Sequence, residues 1–196
     1  MVFVQIGANQ GHDDLMQIAR ENRTQLRKLI LVEPLSVHHA ALRHGYSGYP
    51  VTVEHLAIVD DPALQQVSFF YHVEDGPGYE VSSLSREHIL KHVSCNPRLT
   101  EEGIVEEKVP AATLNQLLVR HGVPNIELLM IDAEGFDDRI IRSIDFGQFR
   151  IENIVYENLH IPRQALADFL KSKGYSIVPE WGKNGWSSWA TLNAEH

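Results

Sequence analysis

The run Ile126-Glu127-Leu128-Leu129-Met130-Ile131-Asp132-Ala133-Glu134-Gly135 closes an apolar stretch with two carboxylates and a glycine. A carboxylate at such a strand end can take the proton of an attacking hydroxyl, which makes Asp132 and Glu134 the candidate general bases. A second group opens the chain, where the apolar run Val2-Phe3-Val4-Gln5-Ile6 feeds the turn Gly7-Ala8-Asn9-Gln10-Gly11. Gly7 and Gly11 lack side chains, so this turn can adopt positive φ and let a ligand come close to the backbone. The third is Leu29-Ile30-Leu31-Val32-Glu33-Pro34, an apolar run ending in an acid. In doubly wound folds a carboxylate there accepts hydrogen bonds from ribose hydroxyls, about 20 residues beyond the glycine turn, which is where Glu33 lies. Pro34 stops the run and keeps Glu33 extended. The competing reading of Glu33 is an ordinary exposed acid at a strand end.

The residues around the turn discriminate between ligands. Its spacing is G-x-x-x-G, whereas dinucleotide enzymes favour G-x-G-x-x-G. A pyrophosphate would sit on the N-terminus of the following helix, yet Asp13 and Asp14 occupy that first turn and would repel it. S-adenosylmethionine has no phosphate and carries a sulfonium cation, so acids are tolerated beside it. Asp13 and Asp14 could equally serve only to complement the helix dipole. Either way a dinucleotide is disfavoured.

The elements that position these groups alternate between strand and helix from end to end, the pattern of an α/β fold with a largely parallel sheet and helices on both faces. Leu15, Ile18 and Ala19 recur at helical spacing after the glycine turn. Further helices are expected over residues 37–43, 113–121 and 163–173, and one around Ile140 and Ile141. Strands are expected over residues 51–58, 66–73, 105–109 and 151–157, with a terminal pair over 174–178 and 189–192. Glu74-Asp75-Gly76-Pro77-Gly78 reads as a loop. Residues 81–99 are polar and His-bearing, which suggests a lid or an inserted helix.

The 196 residues, 43% hydrophobic and 22% charged, suit one compact domain with its own core. A net charge of −9 without a basic stripe argues against nucleic acid and against docking on anionic lipid. No apolar run reaches the roughly 18 residues that a membrane span needs. The chain enters its first strand without a leader, and Cys95 is its only cysteine; both agree with a cytoplasmic protein. Nothing in the sequence specifies an oligomeric state.

Together, Val4-Gln5-Ile6-Gly7-Ala8-Asn9-Gln10-Gly11, Val32-Glu33-Pro34, Thr113-Leu114-Asn115-Gln116-Leu117-Leu118 and Leu129-Met130-Ile131-Asp132-Ala133-Glu134-Gly135 resemble the FkbM family of S-adenosylmethionine-dependent methyltransferases, in order and over nearly the whole chain. The resemblance implies a Rossmann-like class I methyltransferase fold, with a seven-stranded, mostly parallel sheet whose last pair is antiparallel. It also implies methyl transfer to a hydroxyl oxygen of a small molecule or sugar. The cofactor would be held by Gln5, Gly7, Ala8, Asn9, Gly11, Glu33, Pro34, Ala57, Ser82, Ser83 and Asp132. Two departures stand out. The family usually has an acid where this chain has Gln5, and it commonly has sequence before the first strand that helps cover the pocket.

Asp132 with Glu157-Asn158 is similar to the acid plus acid-Asn arrangement with which catechol-type O-methyltransferases hold a divalent metal. Oxygen ligands of this kind suit Mg²⁺, which would orient the acceptor and lower the pKa of its hydroxyl. Alternatively these acids only contact cofactor or cap backbone. His88, His92 and Cys95, at helical i, i+4, i+7 spacing, could hold zinc, although a solvated helix face explains them as well. Trp181, Trp186 and Trp189 are expected to pack in a terminal hairpin rather than line a pocket. Beside the methyltransferase reading stand a non-catalytic module that binds S-adenosylmethionine and, further off, a nicotinamide-dependent oxidoreductase.

Overall fold

The computed structural model describes residues 1–75, 81–182 and 184–194. In chain order the elements are β1 (Val2–Ile6), α1 (Asp14–Glu21), β2 (Lys28–Val32), α2 (His39–Gly45), β3 (Val51–Glu54), β4 (Ala57–Val59), β5 (Gln66–His72), β6 (Ser82–Ser83) and α3 (Arg86–Cys95). There follow β7 (Ile104–Thr113), α4 (Leu114–His121), β8 (Asn125–Ile126), β9 (Leu128–Ile131), α5 (Asp137–Arg142), β10 (Arg150–Ile151), β11 (Asn153–Glu157), α6 (Arg163–Ser172), β12 (Tyr175–Trp181) and β13 (Ser187–Leu192). Of the expected loop, Gly76, Pro77 and Gly78 lie outside the described residues.

Seven strands form the main sheet in the order β12-β13-β11-β9-β1-β2-β3. All pairings are parallel except those of β13, which runs against both β11 and β12. The expected α/β fold with its antiparallel last pair is therefore present. Side chains alternate across the pleat, so each strand feeds two cores. Val4, Ile6, Ile30 and Val32 pack with Leu117 of α4, Ile140 of α5 and Leu166 of α6. Phe3, Leu29 and Leu31 pack on the other face with Leu15 of α1 and Leu42 of α2. Because β2 is covered on both faces, Leu29 through Val32 have no exposed surface, which is why its sequence is an unbroken apolar run.

The run over residues 51–58 is not one strand. It divides at His55-Leu56: β3 stays beside β2, while β4 leaves to pair in parallel with β7. Past the Val32–Glu54 pairing, β2 gives way to Glu33 and Pro34, and proline has no N–H to offer a ladder. The backbone groups of residues 57–59 must be satisfied elsewhere, and they find Ala111, Ala112 and Thr113. The result is a second, four-stranded sheet, β4-β7-β5-β6. It absorbs the strands expected over 66–73 and 105–109, the latter extended to Thr113. Residues 81–99 contain β6 and α3; Ile89 and Val93 of that helix pack with Phe70 and Ile104 of the second sheet. Among the described residues no helix is long and apolar enough to cross a membrane.

Candidate functional site

Since β1, β2, β9 and β11 run parallel, their carboxyl ends share one edge, where doubly wound sheets bind ligands. The glycine turn after β1 is sewn to β2: Gly7 and Ala8 donate to the Val32 carbonyl at 3.0 and 3.1 Å. Gly7, Asn9 and Gly11 have φ of 75°, 42° and 75°. Beyond its φ, Gly7 has no room for a side chain, because a Cβ there would lie 1.8 Å from the Asp132 carbonyl oxygen. At Gly11 a Cβ would press on Tyr46 at 2.9 Å. Both glycines thus let the chain approach itself.

The turn and β2 meet at Glu33. The Asn9 and Leu35 N–H groups each donate to one of its carboxylate oxygens, both at 2.8 Å. The side chain is 3% exposed. Burial pushes its pKa up to about 7 against the pull of those two donors, and the charge of Asp132 adds to the rise. Gln5, 2% exposed, donates to the Asp13 carboxylate, which caps α1 by accepting from Leu15 N–H at 3.0 Å. Gln5 thus orients the turn through Asp13, and its own Oε1 is buried without a partner.

One cavity gathers Gly7, Asn9, Glu33, Pro34, Ala57, Ser82 and Asp132 of the expected cofactor set. Glu134 lines it too, with the apolar side chains of Ile6, Val32, Phe69 and Leu84. Gln5, Ala8, Gly11 and Ser83 of the expected set are not among the cavity's lining residues. Ser83, paired with Phe70 while Ser82 pairs with Tyr71, reaches the Glu134 carbonyl at 3.4 Å.

The acids gather on the far side. Asp132, at the end of β9, is exposed and lines the cavity. Crevice burial raises its pKa, with Glu134, Glu157 and Asp13 adding to the effect, although water reaching the carboxylate tempers the desolvation. Asp137 has no exposed surface and accepts from Ala133 N–H at 3.2 Å and Glu157 N–H at 3.1 Å, so it ties the ends of β9 and β11 together. Its burial, with Asp132 and Glu157 nearby, holds its pKa well above the ordinary carboxylate range. Glu157 is pushed up to about 7 by burial and by Glu134. Glu157 Oε2 and Asn158 Oδ1 are buried without hydrogen-bond partners, while Asn158 Nδ2 donates to Ser188 Oγ at 3.1 Å.

The methyltransferase FkbM domain model matches residues 5–177, a span that includes the glycine turn, Glu33 and both acidic strand ends. The chain belongs to this family. The fold of this FkbM domain is similar to that of the crystal structure of methyltransferase FkbM from Methylobacillus flagellatus KT, with a TM-score of 0.55, 11% identity and 97% of this chain covered. The chain corresponds to 43% of that protein's length. No curated protein sequence matches it.

Three features of this FkbM domain were not legible as site residues. Asp137 reads in sequence as an acid in the first turn of α5, and only the fold turns it into a brace. Phe69 and Leu84 come to the cavity from the second sheet, which no local pattern announces. His160 follows β11 and meets His88 edge-on, ring centroids 4.8 Å apart; its place three residues beyond Glu157 at the carboxyl edge was the available signal. The helical set His88, His92 and Cys95 separates. His88 bonds Glu134 at 3.1 Å, His92 bonds Asp75 at 3.0 Å, and Cys95 is exposed. Trp181 and Trp189 stack edge-on at 4.9 Å in the terminal hairpin, and Trp186 is exposed.

Proposed function

We propose that this FkbM domain, acting as one domain over residues 1–196, transfers the methyl group of S-adenosylmethionine to a hydroxyl oxygen of a small molecule or sugar. The observation that carries the reading is the one cavity that Glu33, Asp132 and Glu134 line together. Glu33, fixed by two N–H donors, keeps lone pairs for ribose hydroxyls. Phe69, Leu84 and Leu56 offer apolar surface to an adenine ring. Asp13 already occupies the N–H of Leu15 at the start of α1, which leaves a pyrophosphate a helix end that is capped and negative. This supports S-adenosylmethionine over a nicotinamide dinucleotide.

The cofactor, when bound, supplies an electrophilic methyl carbon on a positively charged sulfur. The residues of the chain hold the acceptor hydroxyl in line with that carbon, and this orientation supplies much of the acceleration. Asp132 or Glu134 would accept the hydroxyl proton as the acceptor oxygen takes the methyl group, while the electron pair of the broken sulfur–carbon bond would remain with the cofactor's sulfur. A second reading places Mg²⁺ on Asp132, Glu157 and Asn158, and the orphaned oxygens of Glu157 and Asn158 favour it.

Calorimetry with S-adenosylhomocysteine and with NAD tests the cofactor: the first is expected to bind and the second not. Transfer from labelled cofactor to a panel of hydroxyl acceptors then tests turnover. Asp132→Asn should abolish most of it while leaving S-adenosylhomocysteine affinity within a few fold. Absence of S-adenosylhomocysteine binding removes the reading, and binding without transfer to any acceptor leaves the non-catalytic module. Full activity of Glu157→Ala without added Mg²⁺ removes the Mg²⁺ reading.

A further inference from the structure

Beside the cofactor cavity, and sharing Glu134 with it, lies a second crevice walled by α3 and the segment after β11. Three side chains that bind metals converge there from separate parts of the chain: His88 from α3, Glu134 from the turn after β9, and His160 from beyond β11. One ligand atom of each lies within 4.8 Å of the other two. Backbone geometry brings them together, since Glu134 has φ of 48° and Gly135 of 89°. A Cβ on Gly135 would come within 3.2 Å of His160 Cβ. His88 Nε2 bonds Glu134 Oε2 at 3.1 Å, and the His160 ring stands edge-on to that of His88 with centroids 4.8 Å apart. Lys91, the cation in the same wall, is paired with Glu87 at 3.1 Å.

We propose that His88, Glu134 and His160 bind a divalent transition-metal ion of the Zn²⁺ type. Tetrahedral coordination at the usual bond lengths sets ligand atoms about 3.4 Å apart, so modest side-chain rotation closes the present arrangement on an ion. Two imidazoles and one carboxylate suit Zn²⁺ and its neighbours, whereas Mg²⁺ prefers oxygen alone. Three protein ligands leave a coordination position open, as in catalytic zinc sites. Because Glu134 borders both spaces, that position lies where an acceptor oxygen would enter. This role in acceptor binding rests on the methyl-transfer reading; metal binding itself does not. With Glu134 on the metal, the role of base falls to Asp132.

The test is titration of metal-free protein, without cofactor, by Zn²⁺ in a calorimeter and by Co²⁺ followed through its visible absorption. One ion per chain is expected. His160→Ala, at an exposed position, should fold normally and lose affinity on the order of 100-fold or more, since even the groups that support metal ligands are worth 10- to 100-fold. His88→Ala should do the same, and His92→Ala should leave affinity unchanged. Absence of a one-to-one site overturns the proposal, as does wild-type affinity in His160→Ala. Loss of the site in His92→Ala also overturns it, in favour of the helical His88, His92 and Cys95 set. S-adenosylhomocysteine affinity of metal-free His160→Ala should match wild type. If S-adenosylhomocysteine binds neither protein, the methyl-transfer reading fails and the metal site stands on its own titration.

Discussion

Glu33 lines the cavity and is enclosed tightly enough that burial raises its pKa to about 7, and the proposed function requires the same carboxylate to accept from a ribose. Glu33→Ala should therefore weaken S-adenosylhomocysteine binding by roughly 1.5–3 kcal/mol, the usual worth of a hydrogen bond to a charged group. An unchanged dissociation constant by calorimetry would take Glu33 out of the site. Gly7 gives a sharper test. With the Asp132 carbonyl oxygen 1.8 Å from where a Cβ would stand, even Gly7→Ala should fail to fold, seen as loss of soluble protein or of a cooperative melt. A normal melt would mean that β1 and β9 do not meet this way. The need for glycine and its positive φ were legible from the motif, but the close approach of the Asp132 carbonyl was not. A sequence can mark the residue that must be small without naming what it must avoid.

Among elements, those with strong local signals were legible. The Thr113 to Gln116 spacing becomes a complete capping box on α4, with Thr113 accepting from Gln116 N–H at 3.2 Å and Gln116 accepting from Thr113 N–H at 2.9 Å. Thr113→Ala should cost about 1 kcal/mol and lower the melting temperature by about 2–4 °C for a chain of this size. It should leave S-adenosylhomocysteine affinity untouched, because neither Thr113 nor any residue of α4 lines the cofactor cavity. A change in affinity without a change in melting would contradict that placement. The second sheet was not legible as a sheet. Its strands have the right composition, but nothing local says that residues 57–59 leave β2 for β7, a choice fixed by which backbone partner remains available once Pro34 ends β2. The same tertiary choice brings Phe69 and Leu84 to the cavity and His88 of α3 to Glu134 and His160, so the part of the site that the second sheet and α3 contribute was the less legible half.

At the scale of the whole molecule, the carboxyl edge concentrates buried acids in a chain already carrying −9, and this makes stability depend on pH in a definite direction. Glu33 and Asp137 both have folded pKa values above their ordinary ones, chiefly through burial. Their contribution to stability is full below the unfolded carboxylate range and is lost as pH rises through the folded values, about 7 for Glu33. For Glu33 alone, a shift from 4.5 to about 7 implies a loss of roughly 1 kcal/mol between pH 6 and pH 8, or about 2–4 °C in melting temperature. The unliganded protein should therefore melt lower at pH 8 than at pH 6, and Glu33→Ala should shrink that difference. Saturating S-adenosylhomocysteine should shrink it too, because hydrogen bonds from ribose hydroxyls stabilise the ionised form of Glu33 and lower its folded pKa. Calorimetric melts of both proteins at both pH values, with and without the ligand, test the set. An unliganded wild type that melts higher at pH 8 would mean that the edge acids are ionised and compensated in the folded state, and that Glu33 meets water rather than a closed pocket.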